Sequence, residues 1–139
     1  MVTRAFTDDC VRFPVSGTVF FINNLRSFSV DDIDAALSSG DLFFFPSKEE
    51  NEAIVLLEAA AHGLPIVTRN LPAYKDLLID GQSCLKGETT EEFVELVQRA
   101  MEENEVRGKL TENAKESAEE YSLRNIGKKY LNIYEEFPD

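Results

Sequence analysis

The sequence has little with which to hold a metal, a disulfide or a nucleic acid. Its 139 residues include two cysteines, Cys10 and Cys84, and one histidine, His62. A structural zinc cage takes about four Cys or His ligands, so no metal site is expected. Two distant cysteines make no disulfide framework, and a Cys–His nucleophile needs a placed partner; the chain reads as a reduced, cytosolic domain. Cations are scarce: 14 Lys and Arg stand against 26 Asp and Glu, for a net charge of -12. Phosphate-backbone binding needs clustered cations, so DNA and RNA are excluded as main partners. The same balance makes this chain alone a poor binder of anionic membrane surfaces. No apolar run approaches the roughly 20 residues that span a bilayer. The opening stretch MVTRAFTDDC has no long apolar core and carries two aspartates, unlike a secretory leader. Neither GxGxxG nor a P-loop occurs, so the standard Gly-rich phosphate cradles are absent.

What is present is enough for a core. The chain is 43% hydrophobic and 29% charged, which suits one folded domain rather than a disordered tail. Apolar runs alternate with helical patterns, the signature of a parallel α/β sheet. Strands are predicted at 18–22, 42–45, 65–68 and 83–86, the first ending at the turn residues Asn23 and Asn24. Leu42 to Phe45 is apolar at every position, as expected for a central strand covered on both faces. A helix with Asp31 and Asp32 in its first turn stops at Gly40, and another from Ala53 to His62 stops at Gly63. The last third is helical. Thr89 and Glu92 make a capping box, followed by a stripe of Phe93, Leu96, Val97, Ala100 and Met101. A further helix is predicted from Glu105 to Glu119. The last starts near Ser122, with Leu123, Ile126, Tyr130, Leu131 and Tyr134 on one stripe. Both stripes are expected to pack in the core or against another domain. Four short strands followed by three helices look like the second half of a doubly wound domain, or a small flavodoxin-like one.

Candidate chemistry sits between the second strand and its helix. A loop after the carboxyl end of a central parallel strand is where open α/β sheets bind ligands. The helix that follows offers unpaired N–H groups and a positive dipole end to a phosphate. Glu58 lies inside Leu56-Leu57-Glu58-Ala59-Ala60-Ala61, so its carboxylate is expected against an apolar face. There it would need a hydrogen-bonding partner, and a vicinal diol such as a ribose fits. The plainer alternative is that Glu58 points to solvent between two buried rows. Glu50 lies eight residues earlier in the loop; taken alone it is a solvated acid in an acidic run.

The pattern from Asp41-Leu42-Phe43-Phe44-Phe45-Pro46-Ser47 through Glu50 and Glu58 to Ala59-x-Ala61-x-Gly63-x-Pro65-Ile66-Val67 resembles a known family. It is similar to the C-terminal, donor-binding domain of retaining nucleotide-sugar glycosyltransferases of the two-domain GT-B type (group 1). Asn51, and Thr68-Arg69-Asn70-Leu71-Pro72-Ala73-Tyr74, resemble the branch that glucosylates diacylglycerol in bacteria. The likeness runs over about residues 18–136, and the first 17 residues match nothing identifiable. It implies a Rossmann-like parallel sheet with flanking helices at 18–139, one half of a longer enzyme, with no cofactor.

It also implies roles. Glu50 would bond the donor sugar hydroxyls on the reacting face, and the amides of Asn51, Glu52 and Ala53 would line the sugar. The amides of Ile54 and Val55 would meet the diphosphate, Glu58 would hold the ribose diol, and the loop from Asn23 to Arg26 would border the base. The implied reaction is hexosyl transfer from UDP-glucose to a membrane lipid acceptor. It needs an N-terminal acceptor domain, so this chain by itself is expected to be inactive. The setting is cytoplasmic, with the full-length protein peripheral at the membrane face. Two positions depart from the family: Ala53, and Asn23 nearby in the first loop, stand where glycine is common, and the cations that neutralise the diphosphate have no counterpart here. The competing readings are a non-catalytic nucleotide-binding or interaction module and, more distantly, a signalling receiver domain. The receiver needs a strong strand before Asp8-Asp9 and an aspartate closing the central strand; here Pro46 follows Phe45.

Overall fold

The computed structural model describes residues 19–21, 30–50 and 54–137. The strands β1 (Val19–Phe21), β2 (Leu42–Phe45), β3 (Ile66–Arg69) and β4 (Leu85–Gly87) form one sheet in chain order. Every neighbouring pair is parallel, as the alternation of apolar runs and helices predicts. The edges of the elements differ from expectation for local reasons. The third strand begins at Ile66 rather than Pro65, because proline has no N–H to give to a ladder. Its carbonyl still accepts from the Phe43 amide at 2.9 Å. The fourth begins at Leu85 rather than Ser83, because the two preceding residues belong to the turn. The Ser83 amide bonds the Ile79 carbonyl at 3.0 Å, and the Cys84 carbonyl takes the Gly81 amide at 2.8 Å. The predicted Asn23-Asn24 turn lies outside the described residues.

β2 organises the layers. Its four side chains are between 0% and 6% exposed, so both faces of the strand are covered. Alternation sends Phe43 and Phe45 to one side, into a cluster with residues of the helices α1 (Val30–Ser39) and α2 (Ile54–Ala61). Leu42 and Phe44 point the other way, against Phe93, Val97 and Ala100 of α3 (Thr90–Glu102). Phe44 meets Phe93 edge to face, with centroids 5.2 Å apart. Right-handed crossovers between strands laid in one direction keep α1 and α2 on one face. The chain after β4 turns to the other. Helix α4 (Asn104–Glu120) contributes Leu110 to one cluster and Ala114 to the other, tying the layers together near the start of β2. There the Arg107 guanidinium donates to the Asp41 carbonyl at 3.3 Å.

The helix starts follow the capping signals. Thr89 Oγ1 accepts from the Glu92 amide at 3.2 Å, and the Glu92 carboxylate accepts from the Thr89 amide at 3.3 Å. Ser122 caps α5 (Leu123–Glu136) through the Asn125 amide. Of the two places expected for the stripe on α5, the core of this domain is ruled out: none of its residues is buried, and Leu123 and Tyr134 are 92% and 74% exposed. After the turn at Tyr121 and Ser122 the helix reaches little of the domain beyond α4, so the stripe has no core of its own to enter. Among the described residues no helix is long and apolar enough to cross a membrane.

Gly63 ends α2 with φ +74. Its amide bonds the Ala60 carbonyl at 3.0 Å, and the Leu64 amide reaches back to Ala59 at 3.1 Å, a Schellman closure. An added Cβ would lie 2.7 Å from Lys115 Cε, but that flexible side chain can move aside; the left-handed backbone is the real cost. Gly63→Ala is expected to destabilise the chain by about 1–2 kcal/mol in urea denaturation. An unchanged midpoint would show that the turn relaxes freely.

Candidate functional site

The loop after β2 is held by the segment that begins at the end of β3. Two successive carbonyls, at the end of β2 and just after it, are gripped by side chains of that segment. Thr68 Oγ1, fully buried, donates to the Phe45 carbonyl at 2.8 Å. Arg69 Nε donates to the Pro46 carbonyl at 3.2 Å, while Nη1 reaches the Glu88 carbonyl at 2.6 Å. The same guanidinium sits 5.1 Å from the centre of the Phe93 ring, a cation–π contact. Ser47 Oγ then donates to the Glu49 carbonyl at 2.8 Å, turning the chain into the loop. Arg69, read from the sequence only as a family-like feature, is thus the brace that fixes where the loop departs.

Glu50 stands in this loop, half-buried. Asn51, Glu52 and Ala53 lie outside the described residues, as does the Asn23–Arg26 loop. Ile54 opens α2 with 58% of its surface exposed, and Val55 is buried at 8%. Glu58 is a correction. It is exposed rather than held against an apolar face. Val55, Leu56, Ala59 and Ala60 form the buried side of α2, whereas Ile54, Glu58 and Ala61 fall at i, i+4 and i+7 on the opposite one. The near-continuous apolar composition of this helix hides which stripe faces out. Glu50 and Glu58 therefore belong to one junction: the first in the loop, the second one turn into the helix, beside an exposed isoleucine.

Tyr74 stands at the end of a single 3-10 turn, Pro72–Tyr74, and packs in the core cluster that holds Phe45 and Val55. It is fully buried, and its hydroxyl has no hydrogen-bond partner among the described residues. Burial, with the nearby charge of Glu50, pushes this phenol up to about 12; Thr68 acts in the opposite direction without closing a hydrogen bond to it. Cys84 is also buried, which pushes its thiol up to about 12 and leaves it inert. A separate groove, lined in part by Asn70, Pro72, Lys75 and Lys86, contains neither Glu50 nor Glu58. Thr68 and Tyr74, like Arg69, belong in the sequence to the family-like segment at 68–74, which carries no hint of the Phe45 carbonyl that Thr68 grips or of the unpaired phenol.

The far end of α2 is tied to α1. His62 Nε2 lies 2.8 Å from Asp34 Oδ1, and its Nδ1 lies 2.8 Å from the Glu58 carbonyl. Both partners are acceptors, so the ring is best satisfied when both nitrogens carry protons.

A parallel sheet with a loop braced at the carboxyl end of its central strand and a helix starting there defines a ligand-binding α/β domain. The chain belongs to the glycosyl transferases group 1 family, whose profile it matches over residues 15–117. It is 36% identical over 104 residues to the processive diacylglycerol alpha-glucosyltransferase of Acholeplasma laidlawii, covering 75% of this chain and 31% of that protein. It is 29% identical over 107 residues to the sulfoquinovosyl transferase SQD2 of Arabidopsis thaliana, covering 73% of this chain and 21% of that one. The chain thus spans less than a third of the length of these relatives. Among solved structures, Anabaena Alr3699/HepE in complex with UDP and glucose shares the fold with a TM-score of 0.67 at 17% identity. That match covers 76% of this chain and 30% of the other.

The His62 contacts set a pH dependence. The carbonyl of Glu58 raises its pKa above the ordinary 6.5 most, burial next lowers it, and the Asp34 carboxylate raises it again, for a net upward shift. A group with a raised folded pKa adds stability that is complete below its unfolded value and is lost as pH rises through the folded one. The melting temperature of the chain should therefore fall as pH rises through and above the ordinary histidine range, and fall less in Asp34→Asn. Parallel curves for the two proteins would remove Asp34 from the account.

Proposed function

We propose that this chain is the donor-binding half of a retaining glycosyltransferase that moves glucose from UDP-glucose to a lipid acceptor such as diacylglycerol. The observation that carries this reading is the β2–α2 junction of a group 1 family member. Glu50 stands in the loop at the carboxyl end of the central strand, and Glu58 on the outward stripe of the helix that begins there. The donor choice is supported by the UDP and glucose of the Anabaena neighbour, and the acceptor by the activity named for the Acholeplasma relative. In this reading Glu58 accepts from the two ribose hydroxyls and Glu50 from hydroxyls of the sugar. The amides of Asn51, Glu52 and Ala53 follow the sugar, and those of Ile54 and Val55 face the diphosphate. The exposed Ile54 gives the nucleotide an apolar surface next to Glu58. The whole protein works from the cytoplasm at the membrane face, where its acceptor lies.

The electrostatics make donor binding by this chain weak. A helix N-terminus contributes only about 0.3–2 kcal/mol to an anion. The net charge of -12 opposes a diphosphate. Affinity of the isolated chain for UDP near or above ~1 mM follows, about -4 kcal/mol. Transfer further requires the acceptor to be held against the donor, and such placement supplies much of the rate.

Two outcomes are expected in the full-length protein. Glu58→Ala should weaken UDP and UDP-glucose alike by about 10- to 100-fold, the value of hydrogen bonds to a charged group, whereas Glu50→Ala should weaken only UDP-glucose. Calorimetric titration measures both, and an unchanged UDP affinity in Glu58→Ala would refute the ribose role. Assay with a panel of sugar nucleotides and diacylglycerol in mixed micelles should give glucose transfer from UDP-glucose. Transfer to a soluble sugar instead would overturn the lipid acceptor.

A further inference from the structure

Tyr74 is fully buried, and its hydroxyl has no hydrogen-bond partner among the described residues. An unpaired hydroxyl taken out of water costs its full desolvation, and in a native fold such a group calls for a reason. Phenylalanine would fill the same space without that cost. The location supplies the reason. Tyr74 packs in one cluster with Phe45, the last residue of β2, and with Val55, the second residue of α2. These two residues bracket the loop that carries Glu50, so the ring belongs to the core in which both ends of that loop are anchored. The hydroxyl of Thr68 donates to the Phe45 carbonyl at 2.8 Å and lies near the phenol without meeting it in hydrogen-bond geometry. The field of Glu50 is felt at the phenol, which burial keeps protonated throughout the physiological range.

We propose that Tyr74 is a positioning residue for Glu50. Its buried hydroxyl is a donor held ready in that core, and it bonds the Glu50 carboxylate when a sugar occupies the site, fixing that carboxylate against the sugar hydroxyls. This rests on the reading of Glu50 as a sugar-binding residue. It explains why a tyrosine rather than a phenylalanine stands in an otherwise apolar cluster. It also gives the segment after β3 a second task besides the Thr68 and Arg69 grip on the start of the loop.

The test uses the full-length protein in four forms: unaltered, Tyr74→Phe, Glu50→Gln and the double variant. Tyr74→Phe removes only an unpaired hydroxyl, so its melting temperature should hold or rise. Its affinity for UDP should stay within about twofold, while UDP-glucose affinity falls by about 10-fold, the scale of one hydrogen bond to a carboxylate. In the Glu50→Gln background the same change should cost less than about twofold, because coupled residues are non-additive. Equal losses in both backgrounds, a matching loss of UDP affinity, or no loss at all beside an impaired Glu50→Gln would overturn the role of Tyr74 and leave Glu50 standing. A Glu50→Gln protein with unaltered UDP-glucose affinity would instead overturn the reading of Glu50 itself. As a direct signature, 3-fluorotyrosine placed at position 74 should show a fluorine resonance that moves with UDP-glucose and not with UDP. A resonance that stays in place with both would count against the contact.

Discussion

Leu42, Phe43, Phe44 and Phe45 have to be hidden on two opposite faces at once, and most of the molecule follows from that requirement. One helix layer cannot cover both sides of a strand. The chain therefore places α1 and α2 on one face and turns after β4 to bring α3 to the other. Each fully buried side chain of this size contributes about 1.5–3 kcal/mol, so β2 alone is worth several times the effect of any single surface contact. Satisfying the strand fixes where it ends, and where it ends is where Pro46 begins the candidate site.

The site is consequently a product of the core more than of its own residues. Thr68 and Arg69 take hold of the last carbonyl of the strand and the first one after it, Tyr74 packs in the cluster that anchors Phe45 and Val55, and α2 is clamped at its far end by His62, Asp34 and the Gly63 turn. Among the described residues of the junction, Lys48, Glu49, Ile54 and Glu58 are exposed and Glu50 is half-buried. An acidic junction of this kind suits hydroxyl groups, which donate to carboxylates, better than it suits phosphates.

Much of this was readable from residue patterns. The all-apolar run at 42–45, the Thr89 and Glu92 box and the Gly63 stop each depend on local chemistry, and each falls in the structure where the pattern places it. What composition could not reveal depends on distant neighbours. Helix α2 is apolar on nearly every side, so only packing against β3 and α4 decides that Glu58 lies on the outward stripe with Ile54 and Ala61. The stripe on α5 has the same periodicity as the one on α3, yet α3 lies over the sheet and α5 does not. Periodicity identifies a helix with one apolar side; it does not say what covers that side. The unpaired hydroxyl of Tyr74 is invisible in one dimension for the same reason.

The most direct measurement is a crystal structure of the full-length protein with UDP-glucose bound. The ribose hydroxyls should lie within hydrogen-bond distance of the Glu58 carboxylate, the sugar should meet Glu50, and the diphosphate should face the first amides of α2. A nucleotide seated instead in the groove of Asn70, Lys75 and Lys86, or one whose ribose is held by other residues, would contradict the assignment of the β2–α2 junction as the donor site.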